Sequence, residues 1–76
     1  MEHELKILPE YFVAVAKGLK TFEIRKNDRN FEVGDILILN EIHYYSRNST
    51  GRSVEKKVTY ITDYAQKENY VVMAIV

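Results

Sequence analysis

The chain has no cysteine. That excludes disulfides, thiolate zinc sites and cysteine nucleophiles together. A secreted domain of 76 residues would ordinarily lean on disulfide bridges, so a reducing, cytoplasmic setting is expected. There is no net charge either: eleven cations balance eleven anions. No global field draws the chain toward nucleic acid or a membrane surface. The N-terminal stretch MEHELKILPEY has no basic segment followed by a long apolar run. Neither a signal peptide nor a membrane span is expected.

What is present points to one small folded domain, residues 1–76. A chain this short buries a modest fraction of its surface, yet 46% hydrophobic and 12% aromatic content is ample for a core. His3, Leu5 and Ile7 alternate with Glu4, Lys6 and Leu8, the period of a half-buried strand. Pro9 suits a first helical position, where its missing N–H costs nothing, and Glu10 suits the positive end of the helix dipole. Phe12, Val15, Ala16 and Leu19 recur at helical spacing, and Gly18 is the natural left-handed stop. A helix over 9–17 follows.

Strand patterns occupy the rest. Lys20 to Lys26 alternates, with Phe22 and Ile24 expected toward the core and Thr21, Glu23 and Arg25 on the opposite face. Asn27–Asn30 and Gly34–Asp35 carry turn chemistry. Ile36 to Ile42 is an apolar run that reads as a strand buried on both faces. Residues 46–51 read as a loop, 54–64 as a long amphipathic strand rich in valine, threonine and tyrosine, and 70–76 as a central closing strand. One helix and about five strands give an α+β domain with a curled, barrel-like sheet.

The charge is locally uneven. Residues 17–29 carry Lys17, Lys20, Arg25, Lys26 and Arg29 against Glu23 and Asp28. A local surplus in a neutral chain suits a small anionic ligand better than a wide duplex footprint. The plain alternative is a solvated strand face whose Glu–Arg pair is worth less than about 1 kcal/mol. His3 and His43 lie on different strands without helical spacing, and a metal site would need a third ligand such as Glu23 or Glu41; a hydrogen-bonded histidine is the simpler reading, so no metal or other cofactor is expected.

Gly18, Lys20, Thr21, Glu23 and Arg25, then Asn27-Asp28-Arg29, Phe31, Val33, Gly34 and Asp35, resemble the signature of ASCH domains. These are small β-barrels of the PUA-like superfamily, and HELKILPEYF…GLKTFEIRKNDRNFEVGDILIL resembles a small bacterial and phage branch of it with uncharacterised function. The likeness is strong over about the first forty residues and only one of pattern thereafter. It implies a PUA-like curled barrel with a charged pocket near the helix, accepting a nucleotide, a modified base or a single-stranded RNA segment. Glu23 and Arg25 would form its floor, Lys20 and Lys6 its edge, with Thr21, Arg29 and His3 nearby. Arg25 offers a planar fork to phosphate or a base edge, and Glu23 an acceptor for an exocyclic amine. Tyr11, Tyr44 and Tyr45 are candidates for stacking on a base, while Phe31 fits the core.

Some ASCH-like proteins are amidohydrolases acting on acetylated cytidine, using the motif lysine, a threonine three residues beyond it and a glutamate near the other end of the barrel. Lys20 matches the lysine, but the position three beyond is Glu23, and a carboxylate does not replace a hydroxyl nucleophile without a change of mechanism. Non-catalytic binding of RNA or a nucleotide is therefore the first expectation. A hydrolase of a modified nucleoside using Lys20 and Glu23 is the second. A small phage or host protein-interaction domain is the third.

Overall fold

The computed structural model describes residues 1–76. The first strand, β1 (Glu2–Ile7), buries His3, Leu5 and Ile7 and exposes Glu2, Glu4 and Lys6, as its alternation requires. Helix α1 (Pro9–Ala16) opens on Pro9 and turns Phe12 and Val15 into the core. It ends one residue before the expected limit. Gly18 adopts φ +74°, and its N–H donates to Val15 O while Leu19 N–H donates to Ala14 O. This pair of bonds is a Schellman closure, which a left-handed glycine accommodates without a Cβ clash. The reversal takes Leu19 out of helical phase, so Leu19, expected on the buried face, is exposed, as is Ala16.

Four more strands follow: β2 (Phe22–Lys26), β3 (Ile36–Ile42), β4 (Ser49–Thr62) and β5 (Tyr70–Ile75). They form with β1 a five-stranded mixed sheet in the order β1-β3-β4-β5-β2. β1 and β3 are parallel, and the other neighbours are antiparallel. β4 begins inside the expected loop, because Ser49 already pairs with Ile42. Its first part pairs with β3 as far as Lys57, and its remainder pairs with β5 from Val58 onward. One long strand thus serves two neighbours, and a bulge between Val58 and Tyr60 marks the change. β3 buries Leu37 and Leu39 fully and leaves Ile36, Ile38 and Asn40 half-buried, so only one of its faces is core. No helix is long and apolar enough to cross a membrane.

The core joins Leu5, Ile7, Phe12, Val15, Leu37, Leu39 and Val58 with Val71, Met73 and Ile75 of β5, closed by Phe31. β2 contributes no apolar side chain to it. Its alternation is real but inverted: Glu23 is 3% exposed, whereas Phe22 is 43% and Ile24 51% exposed. The register explains the phase. Glu23 lies opposite fully buried Met73, and Arg25 opposite buried Val71, so these two side chains share the inner face. A period of two separates two faces without saying which is inside.

β1 and β2 are the two edges of the sheet. Arg25 Nη2 donates to Lys6 O at 2.9 Å, and Arg29 Nη1 donates to Glu4 O at 2.7 Å. Glu4 and Lys6 are two residues apart, so their carbonyls point to the same side of β1. Two arginines from β2 and its following turn thus bridge to the free edge of β1 and occupy acceptors that would otherwise invite a foreign strand.

A second polar knot lies under the start of β3. Asp35 is buried and accepts from Glu32 N–H at 3.0 Å, sits 2.8 Å from His3 Nε2, and receives the Met1 amino group at 3.2 Å. His3 in turn packs edge-on against Phe31, with ring centroids 4.8 Å apart. The His3 bond, the Glu32 amide and the amino group together pull the Asp35 carboxyl down from 3.8 to about 2. A depressed carboxyl adds stability above its unfolded value and loses it as pH falls through the folded one. Wild-type thermal stability is therefore expected to drop between about pH 4 and pH 2, the window set by those two values. Asp35→Asn should be less stable at neutral pH and show a shallower drop across that window in parallel thermal melts.

Candidate functional site

The exit from α1 sets the site. Besides the Schellman bonds, Lys20 N–H donates to Ala14 O at 3.0 Å, which folds the chain back against the helix just before β2. Lys20 Nζ then reaches Phe22 O at 2.8 Å and Glu23 Oε1 at 2.6 Å. It lies 4.9 Å from the centroid of the Phe22 ring and 5.6 Å from that of Tyr11. The other carboxylate oxygen, Glu23 Oε2, accepts from Arg25 Nε at 2.8 Å. One nearly inaccessible carboxylate is therefore clamped between two cations that keep partial exposure, 18% for the Lys20 side chain and 24% for Arg25.

These groups line a cleft of about 360 Å³ whose walls are Tyr11, Lys20, Phe22, Glu23, Ile24 and Arg25. Two cations face one anion, so the cleft holds one positive charge in excess. An ammonium has three donors and a guanidinium five. The bonds already made leave one N–H of Lys20 and the Nη1 end of Arg25 without a protein partner. Charge-assisted donors beside exposed aromatic faces suit a ligand that combines an anionic group with a flat ring.

Lys20, Glu23 and Arg25 come together as the sequence suggests, and Tyr11 joins them. Lys6 takes part through its main-chain carbonyl, while its side chain is exposed. Thr21 is exposed and outside the cleft, its carbonyl accepting from Ile75 N–H. Arg29 serves the β1 edge and does not line the cleft. His3, expected near the pocket, is instead held in the interior by Asp35 and Phe31. Tyr44 and Tyr45 pack edge-to-face, with ring centroids 5.1 Å apart, in the turn between β3 and β4, also away from the cleft.

Two features went unforeseen. Phe22 and Ile24 form the cleft wall rather than core, because β2 is inverted. Glu41 is buried and takes a paired contact from Arg52, Nε to Oε1 and Nη2 to Oε2, both at 2.8 Å, with the Thr50 hydroxyl at 2.7 Å. Arg52 and then Thr50 hold the Glu41 carboxyl below its usual range, and Arg52 lies over the Phe12 ring at 4.9 Å. Alternation offered a signal here, since Glu41 shares its strand face with Leu37 and Leu39.

Residues 2–75 match the family described as Domain of unknown function (DUF3850). The chain is also similar to an "Uncharacterized 12.9 kDa protein in GpA 3'region" of Escherichia phage P2, with 44% identity over 72 residues. That alignment takes in 93% of this chain and 64% of the relative, so this chain spans less than two thirds of the relative's own length.

The inverted strand reverses the expected order of mutational effects. Arg25→Ala leaves the buried Glu23 with one cation and uncaps Lys6 O, a loss of roughly 2–4 kcal/mol. Ile24→Ala removes a half-exposed side chain and should cost less than about 1 kcal/mol. Urea unfolding of the two variants beside wild type checks this, and equal losses would place Ile24 in the core after all.

Proposed function

We propose a binding function for this chain, which belongs to the DUF3850 family: the cleft beside β2 holds a nucleotide, free or as a unit of RNA, without transforming it. The observation that carries this reading is the pair of cations fixed by one buried carboxylate next to the exposed rings of Tyr11 and Phe22. Free donors of Lys20 and Arg25 take the phosphate, and an aromatic face takes the base. Because Glu23 already orients both cations, little side-chain freedom is lost when the ligand arrives.

The same reading takes the sheet as a PUA-like barrel of the ASCH kind, working in the cytoplasm. Its support is the seam, where β1 and β2 run antiparallel and Arg25 and Arg29 span the gap between them. A hydrolase of a modified nucleoside would employ Lys20 and Glu23, and these two groups are bonded to each other. No observation favours catalysis over binding.

Titration of nucleoside monophosphates and short single-stranded RNA, followed by amide shifts, tests the proposal. Expected are shifts confined to residues 20–25 and Tyr11, an affinity that falls as salt rises, and a loss of roughly 1–3 kcal/mol of binding in Phe22→Ala. Absence of shifts at millimolar ligand overturns the reading. Release of acetate or ammonia from a panel of modified nucleosides would replace it with the hydrolase.

A further inference from the structure

The outer face of β2, β5 and the end of β4 is apolar, and α1 packs on the other side of the sheet. Residues directly opposite in an antiparallel ladder share a face. Phe22, Ala74 and Tyr60 therefore form one outward row, and Ile24, Val72 and Thr62 the next. The first row sets an exposed ring on each side of a small residue. With strands about 4.8 Å apart, the two aromatic positions lie about 10 Å from each other.

The position of Tyr60 depends on the bulge. Val58 is fully buried opposite Ile75, and plain alternation would turn Tyr60 inward with it. The register shift between them places Thr59 as the extra residue, so Tyr60 emerges opposite Ala74 with 64% exposure and Ile61 takes the inner place opposite Met73. A bulge that re-aims one tyrosine is a common device beside functional surfaces. The strand segments that make this face expose charge of one sign only. β5 has no charged residue, nor has the segment from Val58 to Thr62. Within β2 the one acid, Glu23, is buried, while Lys26 is exposed at the end of the face and Lys20 and Arg25 border Phe22.

We propose that this sheet face is a track for single-stranded nucleic acid, leading from the cleft across β5 to Tyr60. The proposal rests on the nucleotide reading of the cleft and extends it: one unit lies at Phe22 with its phosphate on Lys20 and Arg25, and the adjoining base stacks on Tyr60. Exposed aromatics presented on one face of a sheet are a known way to receive unpaired bases. Lys20, Arg25 and Lys26 edge the face along β2, while the acids Asp63 and Glu68 lie beyond Thr62 at its far end, by Tyr70. The row from Phe22 to Tyr60 therefore favours a polyanionic strand over an acidic or neutral protein partner.

The test uses uridine monophosphate, tetrauridylate and tetrathymidylate DNA with wild type, Phe22→Ala, Tyr60→Ala and Tyr60→Phe. Phe22→Ala should weaken all three ligands. Tyr60→Ala should weaken both tetranucleotides by roughly 5- to 100-fold, the range of one lost stacking platform, and leave the monophosphate unchanged. Tyr60→Phe should retain binding, because the ring remains. The RNA and DNA arms tell the two sources of the strand apart. If Tyr60→Ala binds tetranucleotides like wild type while Phe22→Ala binds none of the ligands well, the track falls and the cleft stands. If wild type binds none of the three, both readings fall. A wild-type dimer in sedimentation equilibrium that Tyr60→Ala converts to monomer would assign the face to a second copy of the chain and overturn the track.

Discussion

Glu23 governs the architecture on its side of the molecule. An unpaired carboxylate at 3% exposure would cost several kcal/mol in lost hydration. Here Lys20 and Arg25 each take one of its oxygens, so the charge is tolerated facing Met73. Once Glu23 is inside, the pleat forces Phe22 and Ile24 out, and Arg25 inward at the edge. From there Arg25 reaches Lys6 O on the far edge of the sheet. The exposure of Phe22 and Ile24, the orientation of both cations and one of the two bridges between the edge strands thus follow from a single buried ion cluster.

The same device appears twice more. Asp35 gathers His3, the Glu32 amide and the Met1 amino group where the chain enters β3. Glu41 gathers Arg52 and Thr50 near the other end of that strand. All three buried acids are satisfied, and no buried side-chain polar atom lacks a partner. In a domain with a small apolar core such clusters act less as sources of net stability than as fixed points of register, because a slip by one residue would strand a charge without its partner.

Much of this was legible in the sequence where local chemistry acts alone. His3, Leu5 and Ile7 marked β1, Pro9 and Gly18 bounded the helix within a residue, and the bounds of β3 and the start of β5 fell where expected. The grouping of Lys20, Glu23 and Arg25 was also readable from spacing. What failed needed tertiary knowledge. The hydrophobicity of Phe22 and Ile24 pointed inward, yet inside and outside on an edge strand were decided by partners from α1's exit and from β1. His3 is drawn away from the cleft by Asp35, 32 positions along the chain, a partner that no local spacing reveals. The early start of β4 was hidden because Ser49 to Arg52 are polar and are held by the hairpin and by Glu41 rather than by burial.

The cluster that closes the fold is also the surface of the cleft, and that coincidence has a consequence for binding. Glu23 uses Lys20 Nζ and Arg25 Nε, and Lys6 O uses Arg25 Nη2, so the donors left over point away from the structural bonds. An anion can engage them without breaking a contact on which the sheet depends. Under the proposed binding function, occupation of the cleft would add its free energy to folding through mass action, with both cations already held in place by the clamp. Replacing Lys20 or Arg25 would mix the two effects, since each supports Glu23 as well as facing the cleft. Phe22 has no such second duty: it gives the core nothing, and its ring contacts only the Lys20 ammonium among the charged groups that line the cleft. Substitution at exposed Phe22 therefore probes the proposed binding apart from stability, whereas substitution at Lys20 or Arg25 probes both together.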